Sequence, residues 1–164
     1  MRNAYIYETK LGKILIAEDE AGITNLDLIL DDFDIDCNTE FIRVETESIK
    51  EAAQQFMEYL EGNRVEFTVK LNPRGTEFQR KVWDELLKIP YGETRSYKQI
   101  AEAVGNGKAS RAVGMANHNN PIMCMIPCHR VIGSNGSMVG YAGGLPVKVK
   151  LLELERSKES EERK

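Results

Sequence analysis

The chain has 164 residues, of which 41% are hydrophobic, so it is long enough for one good-sized globular domain or two small ones. It contains no apolar run of the roughly 18 residues that span a membrane, and its first residues lack the apolar stretch and cleavage site of a secretory signal. The three cysteines are too few and too odd in number for a disulfide framework, so the sequence predicts a soluble protein of the reducing cytoplasm.

Charge divides the chain into two halves at the turn-forming run NPRG, residues 72–75. Residues 1–72 hold 7 Lys and Arg against 16 Asp and Glu, whereas residues 73–150 hold 11 against 5. An acidic half joined to a basic half predicts two domains, 1–72 and 73–164, and a basic half is typical of a polyanion-binding module. Two differently solvated surfaces remain the alternative explanation.

Strand patterns dominate the first half. Apolar residues alternate in NAYIYET and KILIAED and run together in GITNLDLIL, which predicts a three-stranded meander with turns near Gly12 and Gly22. Ser48 and Glu51 form a predicted capping box for a helix that ends at Gly62. The predicted buried face of this helix consists of Ile49, Ala52, Ala53, Phe56, Met57 and Leu60. A further strand is predicted for VEFTV, and nothing in this half, which has no histidine, looks catalytic.

The second half begins with two helices that carry the same start signal. Thr76 with Gln79, and Ser96 with Gln99, each form a predicted capping box. The predicted buried face of the first helix consists of Phe78, Val82, Trp83, Leu86 and Leu87.

A glycine turn, GNG at 105–107, separates the second of these helices from another, KASRAVGMANH, which carries Lys108 and Arg111 near its start. Helix, glycine turn and helix, with basic and small residues leading the last helix, is the pattern of a helix-turn-helix. Paired helices of an ordinary bundle give the same pattern, so it does not decide the function alone. A phosphate-binding loop is excluded, because the position that needs an upstream glycine holds Glu102.

The last part of the chain places a cysteine beside one of the two histidines. After Pro121 come the apolar IMCMI and then PCHRVIGSNG, in which GSNG is a turn, so a strand, a turn and a strand are predicted. A glycine-rich loop, GYAGG, precedes Pro146, which is expected to begin a last helix through VKVKLLELERSKE.

The Cys128-His129 pair has three interpretations. Thiolate is the reactive form of cysteine and a neighbouring base raises its fraction, so the pair fits a nucleophile beside its base. On a strand, however, the two side chains would point to opposite faces, and they would need a turn or a bridging water to interact. A metal site of Cys124, Cys128, His129 and His118 would have an unfamiliar zinc spacing. The third interpretation is a buried cysteine with a packed histidine and no chemistry.

Between Gly75 and Glu155 the chain carries a series of specific motifs, namely GTEFQRKVWDELLKIPYGETRSYKQIAEAVG, KASRAVG, NP, IPCHRVIGSNG and YAGGL followed by KxxLLxLE. In these motifs and their order it resembles the O6-alkylguanine-DNA alkyltransferase family. The resemblance implies an α+β fold: a small ribonuclease-H-like α/β domain of structural role, then a mostly helical, winged-helix-like domain with the helix-turn-helix. Some relatives hold zinc in the first domain, but this one, with only Cys37 there, is expected to hold none.

The resemblance implies a single irreversible transfer of an alkyl group from guanine O6 in duplex DNA to the protein, after the damaged base has been flipped out. Cys128 would be the nucleophile, His129 its base through a water, and Glu155 the group that orients the histidine. Asn120 would hold the turn around this network, and Tyr97 would donate a hydrogen bond to the leaving guanine. No cofactor is expected, because the damaged base is itself the alkyl donor, and the protein is expected to be a monomer.

The same resemblance implies a DNA-contacting surface and a substrate pocket. The second helix of the helix-turn-helix would enter the minor groove with small residues at its start, and Arg111 would fill the gap left by the flipped nucleotide. The expected DNA-contacting residues are Lys108, Ala109, Ser110, Arg111 and Arg130. The expected pocket residues are Val131, Tyr141, Ala142, Met123 and Asn117.

Several alternatives stay open at this point. The alternative to a functional role is a core tyrosine for Tyr97, a plain phosphate contact for Arg111 and a surface charge for Glu155. The bulk of Met123 is expected to narrow the range of alkyl groups that the pocket accepts. A non-enzymatic branch of the family lacks the cysteine and only binds damaged DNA. Because Cys128 is present here, such a binding module is the alternative function and not the first expectation. A plain helix-turn-helix regulator is a further alternative.

Overall fold

The computed structural model describes residues 1–136 and 144–163, with residues from 158 onward described by backbone alone. The chain divides into two compact units, Met1–Arg74 and Gly75–Lys164. The boundary between the units lies two residues after the point at which the composition changes from acidic to basic. No helix in the described part of the chain is long and apolar enough to cross a membrane.

A four-stranded sheet forms the centre of the first unit. Its strands lie in the order β3-β2-β1-β4, with bounds β1 Arg2–Thr9, β2 Gly12–Asp19, β3 Gly22–Leu28 and β4 Phe41–Arg43. The first three are antiparallel neighbours, which confirms the predicted meander, and β4, which the sequence patterns missed, adds to β1 in parallel. Gly22 has a φ of +150°, and a Cβ there would lie 2.7 Å from the carbonyl oxygen of Lys70, so this turn requires glycine.

Both faces of this sheet are covered. The helix α1 (Glu47–Leu60) contacts β1, β2 and β3 and buries Ile49, Ala52, Ala53, Gln55, Phe56 and Tyr59. A second apolar cluster, which includes one residue of the segment before β4, consists of Ala4, Leu15, Ala17, Ile35 and Phe41. A strand covered on both faces needs apolar residues at successive positions, which explains why the middle of β2 is the uninterrupted run ILIA.

Two predictions for the first unit are wrong. The N-cap of α1 is Thr46 and not Ser48: the Thr46 hydroxyl accepts a hydrogen bond from the Ile49 N–H at 3.2 Å. Residues 65–69 do not form a strand. The N–H of Thr68 donates to the Gln55 side chain at 2.9 Å, so a helix side chain takes the place of a partner strand.

Three helices, α2 (Glu77–Leu86), α3 (Tyr97–Ala103) and α4 (Ser110–His118), pack on one another in the second unit. The predicted capping boxes at the starts of α2 and α3 are both present, each with its two reciprocal hydrogen bonds. The turn at 105–107 and α4 complete the predicted helix-turn-helix, although α4 begins two residues later than the sequence pattern indicated.

Trp83 fixes α4 against α2. Its ring is buried, and its indole N–H donates to the carbonyl of Ala116 at 2.8 Å. The buried face of α2 is otherwise close to the prediction, with Val82 and Leu86 fully buried. Phe78 is only partly buried, and Leu87 is exposed because it lies just beyond the end of the helix.

The end of the chain folds back on these helices. Strand β5 (Arg95–Ser96) pairs in parallel with β6 (Val131–Ile132), and α5 (Leu145–Arg163) contacts the turn that precedes β6. That turn is a 3-10 helix, Cys128–Arg130, where a strand had been predicted. The predicted glycine-rich loop lies outside the described residues, apart from Gly144.

The corrected N-cap of α1 gives a test of the fold. Thr46→Ala removes the hydroxyl that satisfies the first turn of the helix, and we expect it to lower the free energy of unfolding by about 1 kcal/mol. Ser48→Ala, two residues away, is the matched control and should change it by less than about 0.5 kcal/mol. Urea denaturation of both variants measures the difference, and an equal loss in the two would contradict the assigned cap.

Candidate active site

The thiol of Cys128 is buried at the first residue of the 3-10 turn. Its sulfur accepts a hydrogen bond from Asn120 Nδ2 at 3.1 Å, and a second from the backbone N–H of Cys124. Cys124 has a φ of +73°, in the left-handed region that non-glycine residues seldom adopt. The chain before the turn is thus held in an uncommon conformation that places a backbone donor on the sulfur.

Asn120 holds the loop that carries this cysteine. Its Nδ2 donates to the carbonyl of Ile126 at 2.8 Å as well as to the thiol, and its Oδ1 accepts from the Ile122 N–H at 3.0 Å. A single buried amide thereby fixes both ends of the segment and touches the sulfur. The contacts are those expected of a residue that positions the turn.

Opposing effects act on the ionisation of Cys128. Burial raises the pKa of the thiol above its ordinary value, while the hydrogen bonds from Asn120 and Cys124 and the charge of Lys148 work to lower it. Burial has the larger effect, so the group is mainly a thiol at neutral pH. Reaction therefore needs a nearby base to take the proton.

A buried carboxylate, Glu155 on α5, joins the two residues that follow the cysteine. His129 Nε2 lies 2.6 Å from Glu155 Oε2, and Arg130 Nε donates to Oε1 at 2.8 Å. The guanidinium also donates to Oε2 and to the carbonyl of Ile89. These contacts make Glu155 a buried member of the site rather than a surface charge.

The protonation states follow from these contacts. Burial of His129 lowers its pKa despite the hydrogen bond that the ring makes to the Glu155 carboxylate, so the ring is neutral at pH 7. Burial also works to raise the pKa of Glu155, but its hydrogen bonds and charge interactions with His129 and Arg130 lower it from 4.5 to about 2. Because His129 is neutral, we attribute the charge stabilisation of this carboxylate to Arg130. With Nε2–H donating to Glu155, the lone pair of the neutral ring is on Nδ1.

Arg130 was expected to contact DNA, and its position rules this out. The side chain is buried, and its guanidinium is held by Glu155 and the Ile89 carbonyl, with the Tyr91 ring 5.7 Å from its central carbon. The sequence could not distinguish a surface arginine from this one, because the buried partner lies 25 residues away in the chain.

Tyr97, at the first position of α3, lies near the thiol. Burial and the charge of Cys128 raise its pKa, and its hydroxyl is hydrogen-bonded to the side chain of Asn117. Asn117 also donates to the Cys128 carbonyl at 3.2 Å, so one buried amide connects the phenol with the nucleophile's backbone. A raised pKa keeps the phenol protonated and therefore a hydrogen-bond donor at neutral pH.

Lys148 on α5 is a member of the site that sequence reasoning missed. It is fully buried, and its Nζ donates to the Val131 carbonyl at 2.6 Å. Its charge acts on both Cys128 and His129. Helical spacing offered a signal, because Lys148 precedes Leu151, Leu152 and Glu155 by three, four and seven residues and so shares their buried face.

The residues expected at the DNA lie at the start of α4. Lys108 and Arg111 are exposed, and Ala109 and Ser110 are partly exposed. Of the expected pocket residues, Val131, Met123 and Asn117 are buried around the cysteine loop. Tyr141 and Ala142 lie outside the described residues.

The described residues give no support to a metal site. Among them, no three His, Cys, Asp or Glu side chains lie together as a metal-binding group. His118, the outlying member of the proposed set, is exposed near the end of α4, whereas Cys124, Cys128 and His129 are buried.

Sequence comparisons agree with the family suggested by the motifs. The ribonuclease-like domain of 6-O-methylguanine DNA methyltransferase matches residues 3–73, and the DNA binding domain of the same family matches residues 77–157. The methylated-DNA–protein-cysteine methyltransferase of Methanosarcina acetivorans is 49% identical over 93% of this chain and 97% of its own length. The constitutive enzyme of that name from Bacillus subtilis is 49% identical over 91% and 92%. The chain belongs to the 6-O-methylguanine DNA methyltransferase family.

Solved structures of the family share the fold. Mycobacterium tuberculosis O6-methylguanine methyltransferase superposes with a TM-score of 0.86 at 41% identity, covering 96% of this chain and 94% of that one. The M. tuberculosis protein OGT in complex with DNA gives a TM-score of 0.85 at 42% identity, covering 95% and 94%. The predicted α+β class, a ribonuclease-like domain followed by a DNA-binding domain, is confirmed.

In this methyltransferase, the charge of Glu155 is expected to stabilise the fold. Glu155→Gln keeps the shape of the side chain but leaves the buried guanidinium of Arg130 without its counter-charge, so we expect the free energy of unfolding to fall by about 3 kcal/mol. Glu153→Gln, on the exposed side of α5, is the control and should change it by less than about 0.5 kcal/mol. Urea denaturation at pH 7 measures both.

The pH dependence of stability provides a second readout of the same variant. Because the pKa of Glu155 is lower in the fold than in the unfolded chain, its stabilisation is complete above about pH 4.5 and is lost as the pH falls from there towards 2. The stability difference between the unaltered protein and Glu155→Gln should therefore shrink over that range. A difference independent of pH would show that the carboxylate charge is not its origin.

Proposed function

We propose that this protein repairs O6-alkylguanine in duplex DNA by transferring the alkyl group, in one irreversible step, to the sulfur of Cys128. The observation that carries the proposal is a buried thiol, held by Asn120, directly followed in the chain by a neutral histidine that is bonded to a buried carboxylate. Membership of the methyltransferase family supports it, as does the family protein OGT solved with DNA.

His129 is the proposed base. It takes the Cys128 proton through a bridging water, and the carboxylate of Glu155 stabilises the imidazolium that results. The thiolate then attacks the alkyl carbon in line with the bond to guanine O6. A carbon–sulfur bond forms as the carbon–oxygen bond breaks, and the electron pair of the broken bond stays on the guanine.

Tyr97 is the proposed donor to the leaving base. Its phenol, kept protonated by its raised pKa, donates a hydrogen bond to the guanine as negative charge develops there. In the balance of the whole reaction, the thiol proton is transferred to guanine and the alkyl group to sulfur. The thioether has no good leaving group, so each protein molecule reacts once, and the step needs no cofactor.

Access to the thiol requires the base to leave the DNA stack. Cys128 is 2% exposed, so a guanine paired inside a duplex cannot bring its O6 to the sulfur. Base flipping meets this requirement. We assign Lys108, Ala109, Ser110 and Arg111, at the start of α4, to the DNA contact, with Arg111 filling the space of the flipped nucleotide.

Met123, buried beside the cysteine loop, limits the size of the alkyl group, and Val131 and Asn117, which are also buried there, line the rest of the pocket. We assign Tyr141 and Ala142, which lie outside the described residues, to the same substrate. Residues 1–72 have a structural role, and residues 73–164 form the alkyltransferase domain. A reactive thiol that must stay reduced is suited to the cytoplasm, where we place the protein.

Cys124 and Cys128 are both buried thiols, and variants of each show which one accepts the methyl group. After mixing with a duplex containing one O6-methylguanine, we expect the unaltered protein and Cys124→Ala each to gain the mass of a single methyl group. Cys128→Ser should gain none, because a serine hydroxyl is not ionised at neutral pH and is a far weaker nucleophile. Intact-mass measurement and peptide mapping decide the outcome, and a methyl group on Cys124 would overturn the assignment.

The charge of Lys148 is expected to set the pH dependence of transfer. Lys148→Met retains the length of the side chain but removes the charge that lowers the pKa of Cys128, so the pH at which the transfer rate rises should increase. A change of one pKa unit corresponds to about a tenfold slower transfer at pH 7. Single-turnover rates measured from pH 6 to 9 test this, with Lys150→Met, exposed on the same helix, as control. A lower rate with an unchanged pH profile would indicate a structural role only.

A further inference from the structure

The exposed face of α4, which the structure describes in full, has a long apolar residue near its centre. The exposed residues of this helix are Arg111, Ala112, Met115 and His118, and Asn119, directly after its end, is also exposed. At 3.6 residues per turn, Arg111 and His118 lie on one side of Met115, and Ala112 and Asn119 lie on the other, within about 120° of the helix circumference. Met115 therefore lies at the middle of this face.

The exposure of Met115 is unusual for its position. It is 63% exposed, whereas the other large apolar side chains that are exposed in the described part of this unit, Leu87 and Leu145, lie at or just beyond helix ends. Arg111 lies on the same helix face, and the exposed Lys108 precedes the helix, in a stretch of chain with an excess of positive charge. An apolar centre with basic surroundings has the composition of a surface that contacts a nucleic acid through both sugar or base carbons and phosphates.

We propose that Met115 makes an apolar contact with duplex DNA at the centre of the α4 interface, next to Arg111. This inference rests on the proposed function, which assigns the start of α4 to the DNA. The flexible thioether side chain packs against deoxyribose or base carbons in the groove. The contact removes apolar surface from water and thereby adds affinity that does not depend on neutralising phosphates.

Salt dependence distinguishes this contact from those of the basic residues. The affinity supplied by phosphate contacts falls steeply with salt, because each contact releases counterions. Loss of one such contact reduces the magnitude of the slope of log K against log salt by about 1. An apolar contact releases none. Loss of the Met115 side chain should thus weaken binding by the same factor at every salt concentration.

Binding of a fluorescent duplex by Met115→Ala and Met115→Leu, measured by anisotropy from 50 to 300 mM NaCl, tests the proposal. Alanine favours the helix, so the first variant should fold, which circular dichroism checks. We expect Met115→Ala to bind about fivefold more weakly across the whole range with an unchanged slope. Met115→Leu should restore most of the affinity. Leu87→Ala, which removes an exposed apolar side chain away from α4, should bind as the unaltered protein does.

Arg111→Ala in the same titration separates this inference from the function on which it rests. Suppose that Arg111→Ala reduces the magnitude of the salt slope and that a separate duplex containing O6-methylguanine methylates Cys128 of the unaltered protein. If Met115→Ala then binds like the unaltered protein, the Met115 contact is wrong and the proposed function stands. If Met115→Ala changes the salt slope, and does not weaken binding by the same factor at every salt concentration, the contact is not apolar and the inference is equally overturned. If neither the Arg111 nor the Met115 variant changes binding and no methyl group reaches Cys128, the proposed function itself fails.

Discussion

The candidate site depends on the interaction of the buried Glu155 carboxylate with Arg130 and His129. The carboxylate lies inside the second unit, where an isolated negative charge would be strongly unfavourable, and it is stabilised by the guanidinium of Arg130 and the ring of His129. The two partners are consecutive residues of the turn that Cys128 begins. One helix thereby fixes the orientation of the turn, of the histidine and, through the chain, of the nucleophile.

This arrangement also determines which proton-transfer chemistry is available. Burial keeps His129 uncharged, and Arg130 neutralises Glu155, so the ring can accept a proton instead of already carrying one. The other buried groups act on the sulfur: Asn120 and the Cys124 N–H as donors, and Lys148 as a nearby positive charge. Burial keeps the thiol protonated until a base is present, and the same burial makes each of these polar interactions stronger than it would be in water.

Local signals in the sequence predicted most of the elements of the fold. The meander, the capping boxes of α2 and α3 and the helix-turn-helix depend on residues close in sequence, and all three are present. The strand predicted over residues 65–69 and the capping of α1 by Ser48 were wrong, because Gln55 and Thr46 offered competing hydrogen bonds that a pattern of apolar residues does not record. The motifs identified the family, but Arg130 and Lys148 show the limit: each is a charged side chain buried by partners that only the folded chain brings together.

The most direct test of this account is the protonation state of His129 in the unreacted protein. The chain has only two histidines, so nitrogen chemical shifts of a histidine-labelled sample are readily assigned, with the exposed His118 as an internal reference. The account predicts that at pH 7 His129 is neutral, with its proton on Nε2 and hydrogen-bonded to Glu155. A doubly protonated ring, or a neutral ring with its proton on Nδ1, would contradict the assignment of this histidine as the base for Cys128.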